Sequence, residues 1–257
     1  FNANMVANEM FLDSASLRSS IVSHAKTLGY VPSSARAAKA TVDVTLNTNA
    51  STATMPAGTV FSTSVGDTTF QFSTIEAFTK SNTGNSIPFV GVDIFEGTFI
   101  TTRYTVDTSD IDQRFLLTDN RADTSTLIVN VQTSGTDSTS TTFTEATDIT
   151  QVTAGSNVFF LQEVEAGLFE IYFGDGIIGT ALSDDNIVIL TYVVSNKTAA
   201  NGASLFTNAT SIASITDVSV ATAAAASAGS EPESLSSIKY NAPLDFASQG
   251  RCVTAED

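Results

Sequence analysis

The strongest constraint is a change of period near Thr41. Val42, Val44 and Leu46 alternate with Asp43 and Thr45, the two-residue period of a strand with one face in a core and the other in water. Upstream the spacing differs. Met10, Leu17, Ile21 and Leu28 stand 7, 4 and 7 residues apart, which keeps them on one face of a helix. Residues 1–38 are therefore expected to be helical. Asp13 or Ser14 is the expected N-cap, Gly29 suits the position after the helix, Lys26 suits its last turn, and Pro32 blocks continuation. An apolar helix face needs a covering surface, in its own chain or another. Met10, Leu17, Ile21 and Leu28 are thus candidate partner-interface residues.

Past Thr41 the strand period recurs. Met55-Pro56-Ala57-Gly58 reads as a turn, 59–61 opens a strand, and Phe70 and Phe72 flank Gln71 on another. Further strands are expected at 97–106, 115–117, 127–133, 157–162, 168–173, 187–194 and 214–221. The abundant Thr suits exposed strand faces and the abundant Ser suits turns. Residues 133–142 read as an exposed loop or hairpin tip, Asn201-Gly202 as a turn, and the small-residue run 221–230 as a linker. Pro232, between Glu231 and Glu233, marks a helix start over 231–240. The expected class is α+β, mainly β. It comprises an N-terminal helical segment (1–38), sandwich or barrel-like β regions (39–105 and 106–222), and a linker with a short C-terminal helix (223–257).

Composition narrows the function. Eleven Lys+Arg against 27 Asp+Glu give a net charge of −16 and a pI near 4.1, the wrong sign for a nucleic-acid backbone. One His and one Cys cannot build a Cys/His zinc site or an intrachain disulfide. No apolar run is long enough for a membrane span, and no signal peptide is visible. No cofactor is expected.

The individual motifs are equally sparing. Gly174-Asp175-Gly176-Ile177-Ile178-Gly179 spells G-x-G-x-x-G, but the chain runs on into strand-like residues 187–194 with no room for the helix a pyrophosphate requires. Asp175-Gly176 reads instead as a hairpin turn. His24, near a predicted helix end, and Cys252, beside Arg251, have no recognisable catalytic partners. Asp107, Asp110 and Asp112, like Asp184 and Asp185, lack an EF-hand's Gly and distal Glu and read as solvated turns. Without Trp, a sugar-stacking platform for a carboxylate glycosidase is poorly supported. The sequons at Asn49, Asn196 and Asn208 carry no weight in a chain so rich in Ser and Thr. No enzymatic activity is expected.

Several ordered blocks say more. They are Leu28-Gly29-Tyr30-Val31-Pro32-Ser33-Ser34-Ala35-Arg36-Ala37, Met55-Pro56-Ala57-Gly58-Thr59, Phe95-Glu96-Gly97 and the run from Asp123 to Val129. The run from Phe169 to Gly179 is the most specific. After it come 186–192, Ala200-Asn201-Gly202, the run from Ser237 to Pro243 and the run from Gln249 to Asp257. Together they resemble the baseplate wedge proteins of T4-like contractile-tailed phages, in the baseplate J-like family. The resemblance spans essentially the whole chain. Cys252 departs from it, standing where a small residue is expected. The family runs past the last block and often begins before Phe1, so this chain, which opens without Met, is expected to be a piece.

The resemblance implies a structural subunit of the virion tail baseplate, assembled in the host cytoplasm. Such proteins form two copies per wedge, bundle with other wedge proteins and join wedges into a ring around the tail hub, linking host sensing to sheath contraction. It also implies structural turns at Gly174, Asp175, Gly176, Gly179, Asn201 and Gly202, and a contact role for Arg251. The alternative reading is a virion β-sandwich adhesin or fibre module that binds host-surface glycans.

Overall fold

The computed structural model describes residues 2–110, 113–208 and 211–248. Helices α1 (Asn2–Glu9) and α2 (Arg18–Thr27) come first. Then follow β1 (Lys39–Asn47), β2 (Thr52–Met55), β3 (Val60–Val65), β4 (Thr68–Ser73), β5 (Phe78–Ser81) and β6 (Ser86–Glu96). Beyond Gly97 lie β7 (Thr98–Thr105), β8 (Phe115–Leu117), β9 (Ala122–Gln132), β10 (Ser140–Glu145), β11 (Val158–Glu163), β12 (Phe169–Phe173) and β13 (Ile187–Val194). The described chain closes with β14 (Thr207–Asn208), β15 (Val218–Ser227) and α3 (Leu235–Ser248).

The fold is mainly β, with two curved, barrel-like sheets. The first runs β14-β3-β4-β6-β1-β15 and the second β7-β13-β9-β10-β11-β12-β8, while β2 and β5 form a separate ribbon. Alternation does what the sequence requires of it. Val42, Val44 and Leu46 of β1 are fully buried, and each such side chain contributes about 1.5–3 kcal/mol relative to exposure. They meet Phe61, Phe72, Ile87 and Phe89 in the first core. The second core gathers Val129, Ile171, Leu190 and Tyr192. Edge-to-face contacts run through it from Tyr104 to Phe115, on to Phe173 and then Phe143. The Tyr104 hydroxyl also donates to the Leu116 carbonyl at 2.7 Å, drawing the two end strands of this sheet together.

The chain passes between sheets at Gly97, where φ is +126° and a Cβ would lie 2.2 Å from the Val194 carbonyl oxygen. Only glycine fits there. The sheets do not divide the chain at 105 and 222, as the expected regions did. β7 belongs to the second sheet, and β14 and β15 return to the first.

Other expectations need correction. The helical segment expected over 1–38 holds two short helices, α1 and α2, and is not helical throughout. Residues 10–17 form turns, Leu28 and Gly29 close α2 in a turn, and 30–38 carry no helix, with Arg36 bridging Ser230. Gly29 does end α2, with φ +82° and the Tyr30 amide donating back to the Ala25 carbonyl. Neither Asp13 nor Ser14 caps α2. Its N-cap position is Leu17, and the Glu9 carboxylate takes the Ser16 and Leu17 amides instead. The run 221–230 is no linker through 227, because β15 pairs with β1 along it; alanines are small enough to lie on a strand once a neighbour supplies the ladder. The stretch 133–142, by contrast, is a hairpin tip, one of its two readings: it joins β9 to β10, which pair antiparallel from Gln132 and Ser140 onward. The last helix starts later, at Leu235, and holds Pro243 inside.

Candidate assembly surface

A third, small core ties the helices to each other. Ile21, Val22 and Ala25 of α2 pack with Ile238 and Ala242 of α3 and with Ala15. Ile21 is therefore an internal core residue rather than a partner contact, and Leu28 packs against the same cluster. Met10 and Leu17 lie outside this core. They are 62% and 45% exposed. Phe11, Val6, Tyr240, Leu244 and Phe246 are large and exposed beside them in sequence, Phe11 at 67%. The Lys239 ammonium donates to the Asp13 carbonyl at 2.9 Å, so the turn after α1 and the exposed side of α3 belong to one base.

Polar joints hold this base on the barrels. Arg18 grips Glu163 with two parallel bonds, Nε to Oε1 at 2.6 Å and Nη2 to Oε2 at 2.8 Å. Its Nη1 donates to the Glu233 carbonyl. The Glu163 side chain is fully buried, so this bidentate pair is what makes its charge tolerable. Glu233 is a second hub. Its carboxylate accepts from Tyr30, Ser33, Ser237 and Asn241. Burial pushes the Glu233 carboxyl up, but these donors outweigh it and hold it below its ordinary value. Burial and the facing carboxylate raise the Tyr30 phenol to about 12, so it stays a donor.

Three of the ordered blocks bring buried acids to other joints. Glu96, fully buried, accepts from the Asn196 amide and side chain at 2.8 and 2.7 Å, tying the end of β6 to the segment after β13. Asp123 accepts from the Ala37 amide at 2.8 Å and from Ser125, pinning the segment after α2 to the second barrel. Glu170 holds Arg114 and Gln162. In sequence these acids stand only as parts of motif blocks, Glu233 only as an acid at a helix start, and Arg18 and Glu163 in no motif at all. The legible signal was an acid at the end of an otherwise apolar strand, as in Phe159-Phe160-Leu161-Gln162-Glu163.

The turn residues are well placed but not as a hairpin. Gly176 donates to the Gly179 carbonyl at 3.0 Å, and the Asp175 carboxylate accepts from the Ile177 and Ile178 amides. A Cβ on Gly174 would lie 2.1 Å from the Ile178 carbonyl oxygen. Yet β12 and β13 do not pair, because β12 is already flanked by β8 and β11. No helix follows the loop. Asn201 locks onto Gly229 through both side-chain atoms, and Gly202 (φ +90°) donates to the Ala226 carbonyl. His24 contacts the Glu9 carbonyl. Asp112, Arg251, Cys252 and the final block at 249–257 lie outside the described residues.

Among the described residues, no group of three or more His, Cys, Asp or Glu side chains is arranged to hold a metal. No helix there is long and apolar enough to cross a membrane. No family model matches the chain. It is similar to baseplate wedge protein gp6 of Enterobacteria phage T4, at 25% identity over 283 aligned positions. The match covers 99% of this chain and 41% of that protein, so the chain spans about two fifths of its relative's length.

Proposed function

We propose that this chain is a structural part of a phage tail baseplate wedge, with no catalytic role. It assembles with a second copy of itself and with other wedge proteins in a ring around the tail hub, in the virion. The observation that carries the reading is the similarity to a baseplate wedge protein along 99% of the chain. The base agrees with it: Phe11, Tyr240, Leu244 and Phe246 remain exposed beside a core of only a few buried residues. Exposed aromatic and aliphatic side chains of this kind mark association surfaces.

Co-expression with wedge proteins from one phage, followed by mass measurement by light scattering, tests the reading. A complex is expected, and Phe11→Asp with Phe246→Asp should dissolve it. A chain that stays monomeric in every combination overturns the proposal. A net charge of −16 also sets the salt response. Copy-to-copy association strengthens with salt as repulsion is screened, whereas binding to a basic partner weakens.

A further inference from the structure

A second surface lies on the second barrel, beside the last turn of α2. A cleft of about 690 Å³ opens between the loop after β7, the ends of β8 and β12, and Lys26 of α2. Its apolar wall includes Tyr172, which is 40% exposed and stacked on Phe160 with ring centroids 5.2 Å apart. An aromatic face held flat by a second ring and left half open is a ready contact for an apolar or cationic side chain. The rim is acidic. Asp107, Asp110 and Asp175 all line the cleft. The cations there are Lys26 and Arg114, and Arg114 is already matched by Glu170 at 2.9 Å.

We propose that this cleft docks a short segment of a partner protein that carries arginine or lysine beside an aromatic side chain. The aromatic group lies against Tyr172, and the cationic groups meet the carboxylates of the rim. A second copy of this chain is the wrong occupant, since its net charge of −16 repels an acidic rim. The cleft uses none of the exposed apolar side chains Phe11, Tyr240, Leu244 and Phe246 of the base, so the inference stands whether or not the wedge reading does.

Three labelled Gly/Ser decapeptides test it by fluorescence anisotropy against the whole chain: one centred on Arg-Phe-Arg, one on Arg-Ser-Arg and one on Glu-Phe-Glu. The Arg-Phe-Arg peptide should bind best and weaken as salt rises from about 0.05 to about 0.5 M. The double change Asp107→Asn and Asp110→Asn should cost about fivefold in affinity, the scale of a pair of exposed ion pairs. Tyr172→Ser should cost at least about fivefold, the scale of an aromatic anchor. If Tyr172→Ser loses its circular-dichroism melt, the double asparagine variant, which changes only exposed carboxylates, still decides the matter. Equal binding of all three peptides, no detectable binding, or variants that bind like the parent overturns the proposal. Dimerisation through the cleft in light scattering does so too. Phe11→Asp should leave peptide binding unchanged, which separates this result from the fate of the helical base.

Discussion

In the second barrel Val129, Ile171, Leu190 and Tyr192 are completely buried, and the strands around them are laddered to neighbours along their length. At the helical base Ile21, Ala25, Ile238 and Ala242 are equally buried, but they are nearly the whole core, and Phe11 and Phe246 stand outside it. The barrels hold themselves together by area removed from water. The base has too little of that, and is fastened by charged joints whose donors and acceptors must all be in place. The contrast teaches where the molecule is rigid by itself and where its stability depends on a few polar atoms or on a partner.

Changes at the sheet-to-sheet crossing attack the barrels and should have the largest effect. Gly97→Ala puts a Cβ 2.2 Å from the Val194 carbonyl and 2.9 Å from a Val193 methyl, at a φ of +126°. Backbone cannot yield as a flexible side chain would. A loss of about 4 kcal/mol or more is expected from strain of this kind, read by urea unfolding, with both sheets affected together. A near-neutral Gly97→Ala would show that the crossing is looser than the barrels it joins.

The joint between base and barrel comes next. Arg18→Ala leaves the Glu163 carboxylate buried without its partner, which costs about 3 kcal/mol. Here the loss should be local. Amide exchange in α2 and α3 should accelerate while β9 and β13 keep their protection. Arg18→Lys should rescue little, since an ammonium cannot make the two parallel bonds. Smaller again is Ile21→Ala. The small core around it can close in, so about 2 kcal/mol is expected, confined to the same helices. Global unfolding in both variants would erase the distinction between base and barrel.

Sequence periodicity made the barrels legible because each strand carries its own alternation, whatever its neighbours. Val42, Val44 and Leu46 needed no tertiary context. The base was harder to read. The spacing of Ile21 and Leu28 correctly gave a buried stripe, but the surface it covers is α3, more than 200 residues away in the chain. The sequence holds no local sign of that pairing, so the stripe looked like a partner surface. Pairing order was hidden for the same reason. Asp175-Gly176 has the chemistry of a turn and makes one, but only the saturation of β12 by β8 and β11 decides that no hairpin forms. Ala221 to Ser227 looked like a linker because alanine favours strands weakly, and β1 overrides that preference. The joints were the least legible, since Arg18, Glu163 and Glu233 are ordinary charges until the fold buries them together.

Acid should separate the two regions without any substitution. The amide and then the hydroxyl of Ser16, with Ser20, hold the Glu9 carboxyl down at about 2, against an ordinary 4.5. A carboxyl lowered in the folded state contributes stability that is complete above its unfolded value and is lost as pH falls through its folded one. The turn between α1 and α2 should therefore loosen between pH 4.5 and about 2, and Glu233, also lowered, adds to the loss at the base. Glu96 at the barrel joint runs the other way. Burial raises its carboxyl above 4.5, so the folded state holds a proton that the unfolded chain has released. Its effect is a stability that declines as pH rises past 4.5 and recovers on acidification. Lowering the pH thus weakens the base while relieving the barrel joint. Exchange followed by NMR should show the Ser16 and Leu17 amides and α2 losing protection before the strands. Glu9→Gln should flatten that acid response at the pH where the parent is most sensitive, leaving the strands unchanged. Simultaneous loss across helices and strands would mean that base and barrels form one cooperative unit, and that the joints couple them more tightly than the small core between α2 and α3 implies.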